Sequence, residues 1–302
     1  MEYGILVNDV APLPVDPRVV CSASWGDILP PGPLRAIYFG SEFCADLLPD
    51  AVKVAQLCAH ARNRGVEAVL LTPVAAPQGL AKIEHLLAGL SAIGEAPAVV
   101  FNDWGVANLL RESFPCLQRR AGRLMNRGLR DPRLMEKRAD PARGSGERGR
   151  RMRSLLAQSG VTALETDVDL EGSYLGDGSE GLQRVLHLPY AFAASSRNCL
   201  VKAEGARTVD ECFTKGLGLT CNGICGGRWQ RVDRPDTALP LWRVGNTILF
   251  EVPKYRAEAH IQQADRIVLH ERTTSLRYLH RCDIQMRLFR CLRPARMSFF
   301  AD

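Results

Sequence analysis

The sequence predicts an α/β protein, a (β/α)8 TIM-barrel-like fold of regular or irregular form with a cysteine-rich metal loop. Three observations predict it. Short β-rich apolar runs alternate with helical stretches along most of the chain. The runs are nearly unbroken in apolar residues, as in parallel strands covered on both faces. Seven of them are clear, and the N-terminal segment holds a candidate eighth, the count a closed barrel needs. A doubly wound open sheet is the rival arrangement.

The elements follow in order. RAIYFGSE (35–42) reads as a strand, and AVKVAQLCAHARNRG (51–65) as a helix stopped by its glycine. VEAVLLTPV (66–74) is the next strand, and 79–94 is helical. AVVFND (98–103) is a strand and WGVANLLRESF (104–114) a helix. SLLAQSG (154–160) closes a helix before the strand VTALETDV (161–168). RVLHLPYAFA (184–193), TILFEV (247–252) and DRIVLHE (265–271) complete the strand set. The expected division is an N-terminal segment (1–34), a barrel-like domain (35–271) and a C-terminal helical extension (272–302). The domain includes a basic insertion (117–153) and a cysteine-rich loop (195–230).

Composition limits the function. With 302 residues, 46% hydrophobic and 24% charged, the chain is built like an ordinary globule. Wholesale disorder and fibrous folds are excluded, and no apolar run approaches the ~18–20 residues of a membrane helix. The N-terminus has no basic n-region and meets Glu2 and Asp9 early, so a cytoplasmic location is expected. The net charge of +6 is local. Residues 117–153 hold twelve Arg and one Lys against four acids, a net +9, which leaves the rest of the chain at −3. That stretch reads as a solvated, flexible insertion with a linker over 140–151, or as a surface for an anionic partner or RNA. No Walker loop, HExxH or GxSxG pattern is present.

Polar residues gather near the C-terminal ends of the strands, the edge where parallel α/β folds build their sites. Glu42, Asp103, Glu165 and His187 are candidate general acid–base groups there. Asn102 and Arg197 are candidate substrate-binding residues. Glu165 has Asp167 beside it, and His187 precedes Cys199 by twelve positions.

The ten cysteines are the most informative feature. Four fall in the spacing Cys199-x12-Cys212-x8-Cys221-x3-Cys225. A reducing compartment argues against disulfides. Four thiolates on one irregular loop suit tetrahedral zinc or an iron–sulfur cluster, and the wide spacing suits a cubane better than a zinc ribbon. Four buried free thiols are the plain alternative.

With those residues in view, the chain resembles the peptidase U32 family, in its UbiV-like branch of anaerobic ubiquinone biosynthesis. YFGSEFC (38–44), VVFNDWGVANLL (99–110), LETDVDLEG (164–172), LHLPYAFAASSRNC (186–199) and TVDEC (208–212) carry the resemblance, over roughly residues 35–230. It implies a [4Fe–4S] cluster on a TIM-barrel-like domain. It also implies a part in oxygen-independent hydroxylation of a quinone precursor or RNA, alone or with a related U32 partner subunit. Cys44, Cys199 and Cys212 match three cluster ligands of that branch. Where the fourth is expected this chain has Gly216, and Cys221 and Cys225 are the nearest replacements. Either one of these joins Cys44, or the four loop cysteines close the site and Cys44 is free. A small aromatic substrate or RNA is the implied partner. A non-catalytic electron-transfer, scaffold or zinc-binding protein is the alternative. Peptide cleavage is not expected, since no Ser-His-Asp, Cys-His-Asn or zinc-protease pattern is present.

Overall fold

The computed structural model describes residues 1–21, 23–126, 130–135, 146–169, 181–199, 201–217, 221, 225 and 229–270. The expected C-terminal extension, with Cys282 and Cys291, lies outside the described residues, as does 140–145 of the expected linker.

Eight parallel strands close a barrel. They are β1 (Glu2–Leu6), β2 (Leu34–Gly40), β3 (Glu67–Leu71), β4 (Ala98–Phe101), β5 (Arg119–Ala121), β6 (Ala163–Thr166), β7 (Gln183–Leu188) and the late strand β12 (Arg266–Leu269). Each pairs with the next, and β1 joins β12 with Tyr3 opposite Ile267. The helices, in chain order, are α1 (Ala23–Gly26), α2 (Ala51–Asn63), α3 (Pro77–Ala92), α4 (Trp104–Ser113), α5 (Pro132–Met135), α6 (Gly146–Gln158), α7 (Val209–Leu217) and α8 (Lys254–Gln263).

Local chemistry sets the helix ends. Asp50 caps α2 by accepting the Lys53 N–H at 2.8 Å, and Gly65, at φ 64°, turns the chain after it. Pro77 opens α3, where its missing N–H costs nothing. In α2, Val54, Leu57, Cys58 and Ala61 form the i, i+3, i+4, i+7 stripe that packs on the outside of the barrel.

A second sheet is inserted between β7 and β12. Its order is β8 (Tyr190–Ser195), β11 (Thr247–Glu251), β10 (Leu241–Val244), β9 (Trp229–Val232), all antiparallel. It leaves the C-terminal end of β7, so the cysteine-rich segment belongs to the C-terminal face of the barrel.

Three expectations are corrected. The run 184–193 is two strands in two sheets, because Pro189 has no N–H to continue the ladder. The run 247–252 is an antiparallel strand of the second sheet rather than a barrel strand. Its place in the barrel count is taken by β5, from inside the basic segment. That segment is not a solvated insertion throughout: Arg120 and Arg123 are buried at 3% and 2% exposure, and the linker's residues 146–151 begin α6.

Alternation decides what fills the barrel. Ile37, Phe39, Leu70, Val99 and Leu164 face the helices. Ala36, Tyr38, Val69, Val100, Ala163, Val185 and Val268 face inward, with the alternating polar positions Arg120, Glu165 and His187. The small residues leave space for a tyrosine and an axial set of polar side chains. Gly4 of β1 is part of that allowance, because a Cβ there would stand 2.6 Å from Tyr38 Cε2. Gly4→Ala is expected to push Tyr38 from its place and to lower stability by about 1–3 kcal/mol, read as the midpoint of urea unfolding.

Candidate functional site

The C-terminal mouth of the barrel is built on one buried cation. Arg123 follows β5. Its Nε donates to both oxygens of Glu42, at 3.1 Å each, and its Nη2 donates to Glu42 Oε2 as well. Nη1 donates to Asp167 Oδ1 at 2.8 Å and to the Tyr190 carbonyl at 3.1 Å. Burial works against the charge, but Asp167 and Glu42 outweigh it and hold Arg123 protonated. One side chain thus joins the ends of β2, β5 and β6 to the start of β8. Arg130 lies nearby, with Nε 3.7 Å from Asp167 Oδ2 and its guanidinium 4.0 Å over the Phe192 ring. The Phe43 and Phe192 rings meet at 5.4 Å and those of Tyr190 and Trp229 at 4.6 Å, each pair tilted by 56°, and the Phe43 ring lies 5.4 Å from the Arg123 guanidinium.

Below it, a polar column runs along the barrel axis. At the N-terminal end Arg266 donates to Glu2 and Glu67, and Arg120 also donates to Glu67. Arg120 Nη1 donates to Tyr38 Oη at 3.1 Å, and Tyr38 Oη donates to Glu165 Oε1 at 3.3 Å. Glu165 Oε2 lies 2.8 Å from His187 Nε2, and His187 Nδ1 lies 2.7 Å from His270 Nε2. Glu165 and His187 are fully buried. Burial pushes the Glu165 carboxyl up to about 7, against the opposing pull of Arg120 and Arg266. Burial, with Arg123 nearby, takes His187 down to about 3, and the same causes lower His270. The pair is therefore a neutral imidazole facing a carboxyl that exchanges its proton near neutral pH.

The other expected residues separate from these. Asp103 caps α4 through the Val106 N–H at 2.8 Å and holds the Ala75 N–H at 2.6 Å, so both oxygens serve the backbone. Asn102 bridges the β3 and β5 ends by donating to the Thr72 carbonyl and accepting from the Leu124 N–H. Arg197 is exposed on the loop after β8. Glu42 is present at the mouth but fully engaged with Arg123. Sequence reasoning missed Arg123, Tyr38, Arg120 and His270.

The segments next to Cys44 and Cys199, and Cys225 itself, come to the hairpin turn Gly245–Asn246. Asn246 Nδ2 donates to the Phe43 carbonyl and to the Ser196 carbonyl, both at 2.6 Å. This fastens the Cys44 loop to the Cys199 loop. Cys225 Sγ stands 3.7 Å from the Cβ position of Gly245. The Cys199 N–H donates to the Gly216 carbonyl in α7, and Asn198 Nδ2 lies 3.9 Å from Cys212 Sγ. Burial, and in smaller part Cys199, raise the Cys44 thiol. As the side chains lie, no three His, Cys, Asp or Glu among the described residues are gathered at metal-holding distance. The fit to a thiolate-held group is one of donor chemistry and neighbourhood.

No protein-family model and no curated protein matches the sequence. Among solved structures the chain is similar to the U32 peptidase Mk0906, with a TM-score of 0.41 and 12% identity over 89% of this chain and 92% of that one. It is also similar to a group IV chitinase of Ostrinia furnacalis, with a TM-score of 0.33 and 11% identity over 78% and 83%. Likenesses at this level carry no argument about chemistry. The fold and site define an α/β-barrel protein with a buried charged mouth and a thiol-rich insert. No helix among the described residues is long and apolar enough to cross a membrane.

Two outcomes follow. Arg123→Met leaves Glu42 buried without a counter-charge and Asp167 with Arg130 alone, and is expected to cost about 3–5 kcal/mol in chemical denaturation. The second concerns pH. His187 and His270 have depressed values, so the stability they contribute is present above ~6.5 and is lost as pH falls. Glu165 has a raised value, so its contribution is fully present below ~4.5 and is lost as pH rises toward about 7. The two slopes oppose each other between ~4.5 and ~6.5. Glu165→Gln removes the opposing one, and its stability is expected to fall by about 1.4 kcal/mol more per pH unit than the unaltered protein's across that window.

Proposed function

We propose that the chain is a cytoplasmic iron–sulfur protein of the U32 kind. It takes part in oxygen-independent hydroxylation of a quinone precursor or RNA, alone or with a related partner subunit. The observation that supports this reading is that the Gly245–Asn246 turn holds together the segments next to Cys44 and Cys199 and lies beside Cys225. The motifs that resemble the U32 family supply the direction of the chemistry. Four of Cys44, Cys199, Cys212, Cys221 and Cys225 would hold a [4Fe–4S] cluster, since soft thiolates suit it better than any other donors present. With all four irons held by cysteine the cluster would supply electron transfer, and with only three held it would leave an open Lewis-acid iron.

The chain's own residues do the rest. Phe43 and Trp229 are only half-buried and offer apolar surface to an aromatic ring beside the buried Phe192 and Tyr190. Arg130, bonded to Asn126 and close to Asp167, keeps positive charge beside them. Glu165 holds a proton, and His187 stands against it. Glu42 and Asp167 Oδ1 keep Arg123 in place, while Asp167 Oδ2 lies 3.7 Å from Arg130 Nε. Arg120 and Arg123 are buried, so any RNA surface would be drawn from the other arginines of 117–153. Zinc on the same thiolates is the second reading, because a tetrahedral site asks for the same four sulfurs.

Anaerobic purification with iron, sulfide and zinc quantified tests the proposal. About four irons and matching sulfide per chain, with a visible chromophore lost in Cys212→Ala, are expected. About one zinc per chain and no chromophore would overturn it and leave a structural metal loop.

A further inference from the structure

We infer that Glu165, His187 and His270 form a proton path with a single exit, which carries a proton from the barrel interior to a group bound at the C-terminal mouth. The path rests on the barrel alone and does not depend on a metal at the cysteines.

The geometry gives the direction. Glu165 Oε2, His187 Nε2, His187 Nδ1 and His270 Nε2 lie in sequence, with donor–acceptor gaps of 2.8 and 2.7 Å. His270 follows the last residue of β12, at the mouth end, and its N–H is held by the Leu188 carbonyl at the end of β7. The other end of the column is closed to protons. Beyond Glu165 stand Tyr38 and then Arg120, and a guanidinium does not give up its proton in a protein. Glu67 and Glu2 meet solvent at the N-terminal end, but they are connected to the interior only through Arg120 and Arg266. An exchangeable proton on Glu165 therefore has one hydrogen-bonded way out.

The transfer balances. The O–H bond at Glu165 Oε2 breaks and an N–H bond forms at His187 Nε2. The N–H bond at His187 Nδ1 breaks and one forms at His270 Nε2. His270 Nδ1–H then passes its proton to a basic atom of the bound molecule. One proton leaves, both imidazoles end neutral in the opposite tautomer, and Glu165 becomes a carboxylate. The Tyr38 hydroxyl at 3.3 Å and Arg120 Nη1 at 4.0 Å are placed to stabilise that carboxylate. The groups that face the path are Tyr38 from β2, Arg120 from β5, Arg123 after it, and Arg266 from β12. Glu42 and Asp167 face His187. Burial raises the Glu165 carboxyl, which favours the protonated form from which the path starts. The recipient chemistry is a molecule that becomes more basic as it reacts, such as one passing through an enolate or alkoxide.

Infrared spectroscopy on the full chain tests this without a substrate. The carboxylic-acid carbonyl band of Glu165 is identified by its loss in Glu165→Gln. Its shift on mixing with D2O is then timed. His270→Phe is expected to slow the shift roughly tenfold or more, while the band remains. His270→Gln, which keeps the size and polarity but cannot change tautomer, is expected to do the same, and it serves if the phenylalanine variant does not fold. Glu67→Gln is expected to leave the rate unchanged. An unchanged rate in both His270 variants, slowing by Glu67→Gln, or no acid band at neutral pH would each overturn the path. A merely structural His270 would alter stability without delaying exchange.

Discussion

Arg123 is held by Glu42 from the loop after β2, by Asp167 from the end of β6 and by the carbonyl of Tyr190 where the second sheet begins. A buried guanidinium cannot be left half-paired, so its five N–H groups dictate where those loops must come. Every other feature of the mouth takes its position from that requirement. The Glu42 carboxylate places Cys44 two residues on. Tyr190 sets the entry angle of β8, and β8 carries the chain to Cys199. The same clamp puts positive charge next to His187, one reason the imidazole stays neutral.

Much of the barrel was legible because its strands sit in nearly unbroken apolar runs bounded by helical stretches. The runs at 66–74, 98–103, 161–168 and 265–271 contain β3, β4, β6 and β12, and 35–42 holds all of β2 but Leu34. What stayed hidden has physical reasons. β5 is three residues long, Arg119–Ala121, which is too short for alternation to register, and it sits among twelve arginines. A count of charge treats them alike, yet two of them turn inward to carboxylates that come from distant strands. Glu42 and Glu165 could be found as acids at strand ends, but their partners could not. Nothing local to Arg123 announces Glu42, 81 positions away. The hairpin of β10 and β11 did carry a signal, since Val-Gly-Asn-Thr between two apolar runs is a two-residue turn, and Gly245 takes φ 58° as such turns demand. His270 was also within reach, because alternation along β12 puts Arg266, Val268 and His270 on one face.

The cysteine region shows what spacing alone leaves open. In sequence, Cys44 is 155 positions from Cys199, and a loop of four cysteines looks self-contained. In space, Asn246 ties the two segments through a single amide. The turn was formed by the unrecognised second sheet, so the convergence could not be reasoned out before that sheet was known. Asn102 and Asp103 illustrate the converse. Both lie where a site residue would lie, and both are occupied in joining strand ends and capping a helix.

The late return of β12 has a consequence for how the chain assembles. The ladder between Glu2–Ile5 and Arg266–Leu269 joins residues 264 positions apart. During synthesis from the N-terminus, the first seven barrel strands and the whole insert emerge before that partner exists. Until then β1 and β7 each present an unsatisfied edge, of the sort that recruits other chains. Closure between such remote segments carries a large loop-entropy cost and makes assembly slow. The interval in which the nascent protein needs shielding by chaperones is therefore written into the order of its strands.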